Sequence, residues 1–302
     1  MAEGTTTILK GAALAARMRE EITAAIDQLI ARGGRPPRLV TVLAGEHPSA
    51  LAYRSSIART MARVGIEHVP LDLPEDITER AMVRELHVLS SDPEVTGVLV
   101  LMPLPPQVPM TVVYEHLSPL KDVDGITPTN AGRLHLGLPS LRPSTPQGGI
   151  ELLDHYGIPI EGKRAVVVGR SNVVGRPFAA LLLQRHATVT ICHRRTVDLA
   201  SVVREADLVG IAAGHAGLIT RDMVKPGAVV VDFGVNVIGD RIVGDADYEA
   251  LLGRAGAITP VPGGTGPVTA LVLARNTVAA GFAALAGSLD HVETALRDLP
   301  CL

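Results

Sequence analysis

The first hydrophobic pattern in the chain recurs every three or four positions and predicts an amphipathic helix. Its apolar members are Leu14, Met18, Ile22, Ile26 and Leu29. The helix is expected to stop at Gly33 and Gly34, because glycine commonly ends helices.

Short apolar segments then alternate with helical patterns along the rest of the chain. Strands are predicted at residues 38–44, 68–73, 98–101, 164–168, 188–193, 208–213 and 228–233. Helices are predicted at residues 49–64, 78–89 and 148–156, and from about residues 176 and 268 onward. Alternation of strands and helices is typical of a parallel sheet covered by helices, so the sequence predicts an α/β protein.

A proline-rich stretch at residues 118–146 interrupts this alternation and has little periodicity. We interpret it as a crossover between two domains and as one wall of a cleft. The first domain is expected to comprise residues 1–146 together with C-terminal helices at about 270–302. The second is expected to comprise residues 147–269.

Composition excludes several classes of protein. A net charge of −3 and an aromatic content of 2% without tryptophan argue against a nucleic-acid-binding surface. Two cysteines, Cys192 and Cys301, do not form a disulfide framework, and the N-terminus lacks the pattern of a signal peptide. No apolar stretch reaches about 18 residues without a charge or a helix breaker, so no membrane partner is expected. We expect a cytoplasmic protein.

The loop at residues 169–175 has features of a dinucleotide-binding turn. It follows three consecutive valines and leads into a predicted helix, whose first N–H groups and dipole suit a pyrophosphate. Gly169 would allow the tight turn, and Gly175 would allow close packing of helix and strand. The loop lacks the usual G-x-G-x-x-G spacing, however, so an ordinary strand–helix turn stays open.

Two arginines, Arg194 and Arg195, follow the next predicted strand. An NADP enzyme reads the 2′-phosphate at this place, where an NAD enzyme carries an acidic residue that binds the ribose. No Asp or Glu stands there, so the pair favours NADP over NAD. A solvated basic pair is the alternative. The neighbouring His193 has either a ribose contact or a structural role.

Seven motifs, taken together, carry a family resemblance. They are KDVDG at 121–125, PSTPQG at 143–148, VGRS at 168–171, VGRP at 174–177, KPGA at 225–228, VGD at 243–245 and TPVPGGTGP at 259–267. In this order and spacing they resemble the bifunctional methylenetetrahydrofolate dehydrogenase/methenyltetrahydrofolate cyclohydrolase family over nearly the whole chain.

The resemblance implies an N-terminal α/β catalytic domain, a Rossmann-type NAD(P)-binding domain and a folate-binding cleft between them, in a homodimer. It implies hydride transfer from 5,10-methylenetetrahydrofolate to the nicotinamide ring of the cofactor, followed by hydrolysis of the methenyl product to 10-formyltetrahydrofolate. It assigns catalytic roles to Tyr53 and Asp124. It assigns substrate contacts to Tyr53, Leu101, Asp124, Pro262, Gly263 and Thr269. It assigns cofactor contacts to Thr145, Gly169, Arg170, Ser171, Val174, Gly175, His193, Arg194, Arg195 and Val235.

Three polar positions of the family have apolar residues here. Ile57 stands at the lysine position, four residues after Tyr53, Leu101 stands at the glutamine position, and Ala50 stands where serine is common. Residues four apart share one helix face, so Tyr53 and residue 57 are both expected to project into the cleft. Hydrolysis needs proton transfer, which neither Ile57 nor Leu101 can supply, whereas hydride transfer needs mainly alignment. We therefore expect cyclohydrolase activity to be absent or very weak while dehydrogenase activity persists; neutral drift is the alternative.

Two other functions stay open: a paralogue that oxidises a different substrate, and a protein that binds folate or dinucleotide without turnover. No metal is expected, because the histidines lack the spacing of a metal site. The carboxylates of Asp122 and Asp124 could hold a metal. The resemblance instead favours substrate contact by Asp124 and a structural role for Asp122.

Overall fold

A computed structural model of the chain describes residues 5–292, and the backbone separates into two compact units. Unit 1 combines the residues up to Ala16 with Thr145–Thr269, and unit 2 combines Arg17–Ser144 with the residues from Ala270 onward. Both units are α/β in character. The catalytic and NAD(P)-binding parts expected from the sequence correspond to unit 2 and unit 1 respectively.

Eleven strands and ten helices lie within residues 5–292. The strands are β1 (Thr7–Ile8), β2 (Arg38–Ala44), β3 (Glu67–Leu73), β4 (Gly97–Val100), β5 (Arg164–Val168), β6 (Thr188–Cys192), β7 (Leu208–Ile211), β8 (Val229–Asp232), β9 (Asn236–Ile238), β10 (Arg241–Val243) and β11 (Ala257–Ile258). The helices are α1 (Ala12–Ala31), α2 (Pro48–Val64), α3 (Glu79–Ser91), α4 (Met110–His116), α5 (Pro128–Leu136), α6 (Ser144–His155), α7 (Gly175–Gln184), α8 (Leu199–Arg204), α9 (Tyr248–Leu251) and α10 (Gly266–Ala286).

Unit 1 contains a six-stranded parallel sheet in the order β1-β11-β8-β7-β5-β6. Strand β5 lies between β6 and β7. The chain passes from β5 to β6 on one side of it and then to β7 on the other side, so the strand order reverses at β5. In open parallel sheets, ligands bind outside the carboxyl ends of the strands at such a switch point. The loop at residues 169–175 follows β5 at this point.

The beginning of the chain is a correction to the predicted domain boundaries. Residues 1–146 were assigned to the catalytic domain, but β1 is the edge strand of the sheet in unit 1 and pairs with β11. A strand of two residues has no periodicity that a sequence pattern could reveal. The other predicted boundaries, near 146 and 269, lie within two residues of the observed division.

Unit 2 is built around a three-stranded parallel sheet in the order β3-β2-β4. Strands β2 and β4 are fully buried along most of their length, as expected for a sheet covered on both faces. Helices α3 and α4 pack against it through a cluster that includes Val40, Val98, Met82, Leu86 and Val113.

The stretch at residues 118–146 is more regular than its sequence suggested. It contains α5, where Pro128 occupies the first turn, the side chain of Thr127 caps the start, and Gly137 ends the helix in a left-handed conformation. Helix α6 also begins earlier than predicted, at Ser144, because Pro146 is tolerated in a first turn, where a missing N–H has no partner to lose.

Helix α10 is long and apolar enough to cross a membrane by length and composition alone, but 83% of its apolar window is buried inside the protein. It also carries the buried Asn276, whose amide donates hydrogen bonds to the carbonyl oxygens of Val123 and Arg142, both at 2.8 Å. These are properties of a core helix. Cys192 is a buried free cysteine, and Cys301 lies outside the described residues.

Candidate functional site

Tyr53, Asp124 and Ser144 form a polar cluster in unit 2. The Ser144 hydroxyl donates to Oδ1 of Asp124 at 2.8 Å, and the Ser144 backbone N–H donates to the same oxygen at 3.3 Å. The Tyr53 side chain is hydrogen-bonded to Ser144 and lies close enough to Asp124 for its charge to act on the phenol. The structure thus brings together the two predicted catalytic residues and adds Ser144.

Burial keeps the tyrosine neutral and makes the aspartate easier to protonate. Tyr53 is 40% exposed as a residue, yet its hydroxyl end is enclosed by protein. This burial, with the charge of Asp124, raises the phenol pKa. Burial raises the pKa of Asp124 to about 6; hydrogen bonds from Ser144 lower it, and the charge of Asp122 raises it. At neutral pH the pair therefore presents a hydroxyl and a carboxylate.

Asp122 has a structural environment. Its carboxylate accepts hydrogen bonds from the N–H of Ile126 at 3.0 Å and of Thr127 at 2.8 Å, from the Thr127 hydroxyl at 2.7 Å and from the Asn130 amide at 2.9 Å. The residue has no exposed surface. Four partners from the start of α5 use the acceptor capacity of the carboxylate, so Asp122 fixes this turn and has little capacity left for a ligand.

The three apolar residues predicted to stand at polar positions of the family are all buried. Ala50 and Ile57 belong to the buried face of α2, and the exposed fractions are 4% for Ala50, 0% for Ile57 and 2% for Leu101. Residue 57 was expected to project into an open cleft beside Tyr53, but its side chain lies in the core. Leu101 likewise offers almost no surface to a substrate, contrary to its predicted contact. Apolar side chains at these positions stabilise the folded chain by being buried, whereas a buried lysine or glutamine without a partner would destabilise it.

The predicted nucleotide loop in unit 1 depends on its two glycines. Gly169 has φ of 133°, and a Cβ there would lie 2.2 Å from the carbonyl oxygen of Ala212. A Cβ on Gly175 would lie 2.2 Å from the carbonyl oxygen of Gly169. Only glycine fits either position without moving the backbone.

Ser171 has a role at the start of α7 that the sequence did not predict. Its hydroxyl accepts hydrogen bonds from the N–H groups of Val174 at 3.1 Å and Gly175 at 3.3 Å. These donors at the helix start were expected to face a phosphate. The hydroxyl instead stabilises the turn itself.

The basic pair after β6 lies beside this loop. The Gly169 N–H donates to the carbonyl oxygen of Cys192 at 2.9 Å, and His193, Arg194 and Arg195 follow directly. Both arginines are exposed, and within residues 5–292 neither guanidinium has a hydrogen bond or an ion pair. His193 accepts the Arg195 N–H on Nδ1 at 3.1 Å, so that this ring nitrogen holds the turn.

The remaining predicted contacts all belong to unit 1. Arg170, Val235, Pro262 and Gly263 are exposed, Thr145 and Val174 are half-buried, and Thr269 is 7% exposed. The Thr269 hydroxyl donates its hydrogen to the carbonyl oxygen of Thr265, the residue just before α10, at 3.1 Å.

Ser144 is the functional residue that sequence reasoning missed. Its motif, PSTPQG, contributes to the family resemblance but does not by itself predict a role for the serine. A serine at the start of a helix has a hydroxyl that can bind a carboxylate. The sequence alone does not show that Asp124, twenty residues earlier, is the carboxylate it binds. No group of three or more His, Cys, Asp or Glu side chains suited to a metal lies within the described part of the chain.

Comparison with known proteins agrees with both units. The family model described as tetrahydrofolate dehydrogenase/cyclohydrolase, catalytic domain, matches residues 9–124, and the one described as its NAD(P)-binding domain matches residues 143–284. A protein from Roseiflexus castenholzii named bifunctional protein FolD is 52% identical over 277 residues, which cover 91% of this chain and 96% of that protein.

Solved structures give the same result. The crystal structure of the bifunctional enzyme FolD, a methylenetetrahydrofolate dehydrogenase/cyclohydrolase from Campylobacter jejuni, has a TM-score of 0.89 at 41% identity, covering 92% of this chain and 99% of that one. A Trypanosoma brucei methylenetetrahydrofolate dehydrogenase-cyclohydrolase, complexed with NADP cofactor and inhibitor, has a TM-score of 0.88 at 34% identity, with coverage of 93% and 99%.

Proposed function

The chain belongs to the tetrahydrofolate dehydrogenase/cyclohydrolase family, and from this membership we propose that it oxidises 5,10-methylenetetrahydrofolate to 5,10-methenyltetrahydrofolate with NADP. The observation that carries the proposal is the cluster of Tyr53, Ser144 and Asp124. A partly exposed aromatic ring beside a carboxylate suits a flat heterocycle that carries N–H donors, as the pterin of a folate does.

The residues of unit 1 fit a dinucleotide. Gly169 and Gly175 form a turn that no other residue could adopt, at the carboxyl end of β5 where the strand order changes direction. Exposed arginines follow the two neighbouring strands: Arg170 follows β5, and Arg194 and Arg195 follow β6. The guanidinium groups of Arg194 and Arg195 are suited to a 2′-phosphate. NADP is therefore the proposed cofactor, in preference to NAD.

The reaction divides between cofactor and protein. NADP, when bound, supplies the hydride acceptor. The ionised Asp124 accepts hydrogen bonds from the substrate ring, and Ser144 fixes the orientation of that carboxylate. Tyr53 offers its ring for stacking and holds its proton, since its pKa is raised. These residues orient the substrate, and orientation is the main requirement of hydride transfer.

We further propose that the cyclohydrolase reaction is absent or very weak in this protein. General acid–base catalysis contributes roughly 10²–10⁴ in rate, or about 3–5 kcal/mol of barrier. Ile57 and Leu101 have no donor or acceptor in their side chains and are buried. Tyr53 is a poor replacement, because a phenol with a raised pKa does not act as a base at neutral pH.

The two half-reactions are separated in one assay. The purified chain receives methylenetetrahydrofolate and NADP, and NADPH and methenyl absorbance are followed together. Stoichiometric accumulation of both products is expected. Loss of methenyl product faster than in enzyme-free buffer would contradict the second proposal, and no NADPH at all would contradict the first. Asp124→Ala is the negative control for substrate binding.

Two alternatives from the sequence are tested by the same reagents. A paralogue with another substrate would reduce NADP only with that substrate, and folate analogues would not compete. A binding protein would retain folate and NADP without forming NADPH. The presence of Tyr53 beside Asp124 favours folate over another substrate. A protein that no longer bound folate would not need to keep either side chain.

We also propose a cytoplasmic homodimer. The two-stranded sheet of β9 and β10 supports self-association, because Val237, Ile238 and Ile242 expose 74%, 55% and 46% of their surface there. Exposed apolar clusters of this kind mark interaction surfaces. Light scattering of the chain and of Val237→Glu measures the mass of each; an unchanged mass in the variant would exclude this surface.

A further inference from the structure

Two histidines outside the proposed active site face each other across a pair of helices in unit 2. His87 lies on α3 and His116 is the last residue of α4. Nε2 of His87 and Nδ1 of His116 are 3.2 Å apart, and the rings meet edge to face with centroids separated by 5.1 Å. The two nitrogens are within hydrogen-bond distance of each other, and because His87 is exposed and His116 is half-buried, the pair lies at the surface of unit 2.

The separation of these nitrogens matches that of two ligands on one metal ion. Zinc binds imidazole nitrogen at about 2.0–2.1 Å with tetrahedral angles, which places two ligand nitrogens about 3.3 Å apart. Imidazole suits zinc, copper and nickel. Each neutral ring can carry its proton on its other nitrogen, which leaves both facing nitrogens free to donate a lone pair. We propose that His87 and His116 form a bidentate site for a divalent transition metal, with water completing the coordination.

A metal held in this way would join α3 to α4. These helices pack against the same sheet through Met82, Leu86 and Val113, so the two ligands are already in place in the folded chain and are dispersed in the unfolded chain. Binding to the folded state alone raises the midpoint of unfolding. With two protein ligands, the affinity should be lower than that of a three- or four-ligand site.

The test uses the full chain, freed of metal by a chelator and titrated with Ni²⁺ or Zn²⁺. Calorimetry is expected to give one ion per chain, with a rise in the thermal midpoint. His87→Ala and His116→Ala should each weaken binding about ten-fold or more. His135→Ala, which removes a single exposed histidine from α5, should bind like the unsubstituted chain. The proposal is overturned if the unsubstituted chain binds no ion, or if either pair variant binds as tightly as His135→Ala.

A different observation concerns Asp245, which belongs to the VGD motif and has no role in the proposed reaction. It has no exposed surface. Its Oδ2 accepts the N–H groups of Ala213 at 2.7 Å and Gly214 at 2.8 Å, and its Oδ1 accepts the N–H of His215 and the amide of Asn236, both at 2.8 Å. One carboxylate thus holds three consecutive backbone N–H groups.

The held segment adjoins the nucleotide turn. Residues 213–215 follow β7, the neighbour of β5, and the Ala212 carbonyl oxygen is the atom that a Cβ on Gly169 would strike. The Ala212 N–H also donates to the Val168 carbonyl oxygen at 2.8 Å. We infer that Asp245 is a positioning residue that fixes this segment against the turn at Gly169. The inference rests on the proposed NADP function.

The carboxylate is chemically specific in this place. All four partners are donors, and asparagine would replace one acceptor oxygen by an NH₂ group that faces donors. Asp245→Asn should therefore raise the Kd for NADP about ten-fold, with the KM for the folate substrate changed less than two-fold. A purely structural role would lower the unfolding midpoint and leave the Kd for NADP unchanged, which would overturn the inference.

Hydrogen exchange of the unsubstituted chain gives a second readout that does not depend on the variant folding. The amides of residues 213–215 should be as protected without NADP as those of β7, since Asp245 already holds them. Fast exchange there without NADP would also overturn the inference. If the unsubstituted chain bound no NADP, the proposed function would fail as well, whereas normal binding by Asp245→Asn overturns only this inference.

Discussion

Ser144 donates both its hydroxyl and its backbone N–H to a single oxygen of Asp124, at 2.8 Å and 3.3 Å. Burial raises the pKa of this carboxyl group to about 6, and the two hydrogen bonds oppose that rise. The hydroxyl can be removed by mutation while the backbone donor stays, so the electrostatics of the site can be adjusted without deleting the carboxylate.

This relationship predicts the acid limb of activity. A raised pKa means that Asp124 is half-protonated near pH 6, whereas an ordinary aspartate stays ionised to about pH 4. We expect kcat/KM to fall as the pH drops through about 6, because a protonated carboxyl group is a weaker acceptor. Ser144→Ala removes a hydrogen bond to the charged form, raises the pKa further and moves the limb to higher pH. A pH profile measures both.

The control for this experiment is Ser55→Ala, which removes an exposed hydroxyl from the same helix as Tyr53; that hydroxyl donates only to the Leu51 carbonyl oxygen. Its acid limb should coincide with that of the unsubstituted enzyme. Coincident limbs for Ser144→Ala and Ser55→Ala would disprove the assignment to Asp124.

A second prediction concerns Ile57. Ile57→Lys places an amine at a position with no exposed surface, so the side chain must stay neutral or reach outward. We expect a loss of about 1–3 kcal/mol in the free energy of unfolding, measured in urea. Arg59→Lys, on an exposed position of α2, should lose little.

The same variant tests the hypothesis that Ile57 stands at the position of a catalytic lysine. If Ile57→Lys alone gains cyclohydrolase activity, Leu101 is secondary. If activity requires Ile57→Lys together with Leu101→Gln, the two positions act as a unit. Hydrolysis by the unsubstituted chain would refute the interpretation.

Asp122 supplies a third prediction. Asp122→Ala leaves four donors at the start of α5 without their acceptor. Unsatisfied buried donors cost about 1–3 kcal/mol each when water cannot reach them, so we expect a total loss of about 3 kcal/mol or more. Asp76→Ala is the matched control, because it removes the same side chain from an exposed position. It should change the free energy of unfolding by less than about 0.5 kcal/mol. A loss below about 1 kcal/mol for Asp122→Ala would contradict the structural role.

The fourth prediction concerns cofactor choice. Arg194→Ala and Arg195→Ala each remove a charged donor suited to a 2′-phosphate, and a charge-assisted hydrogen bond contributes about 1.5–3 kcal/mol. The KM for NADP should rise about ten-fold or more in at least one variant, while the KM for NAD stays unchanged. Arg63→Ala, an exposed arginine of unit 2, serves as control. Parallel changes for NADP and NAD would show that the arginines do not read the phosphate.

The strands of four residues or more were the most predictable part of the fold, whereas β1, β9, β10 and β11, of two or three residues each, were not predicted. The bounds of β2 and β5 coincide with the apolar runs from which they were predicted, because a strand buried on both faces needs an uninterrupted apolar segment. Helix α5 was missed because its prolines and glycines, Pro128 and Gly137, begin and end a real helix of nine residues. Proline and glycine are equally typical of loops, and the neighbouring sequence does not distinguish a short helix from a loop here.

Sequence motifs were sufficient to predict individual residues of the site, among them Tyr53, Asp124 and the two glycines of the nucleotide loop. Gly169 and Gly175 were predicted from their place between a valine-rich strand and a helix, and their close approaches to carbonyl oxygens explain the requirement for glycine. The partnership of Ser144 with Asp124 and the burial of Ile57 depend on residues distant in sequence, which no periodicity reports. Burial of Ile57 in particular follows from the packing of α2, since residue 57 lies on the same face as Met61 and Val64.

The pairing of β1 with β11 has a consequence for synthesis. The Thr6 hydroxyl donates to the Ala255 carbonyl oxygen across 249 residues of chain, and at 5–20 residues per second a ribosome needs about 12–50 s to make that length. The folding of unit 2 is also delayed, because its Asn276, which is made late, binds the carbonyl oxygens of Val123 and Arg142. Unit 1 cannot be completed before β11 has emerged, nor unit 2 before Asn276 has emerged, so the nascent chain exposes an unpaired edge strand and apolar surface for most of its translation. Its folding in the cell should therefore depend on chaperone capacity more than that of a chain whose domains are continuous in sequence.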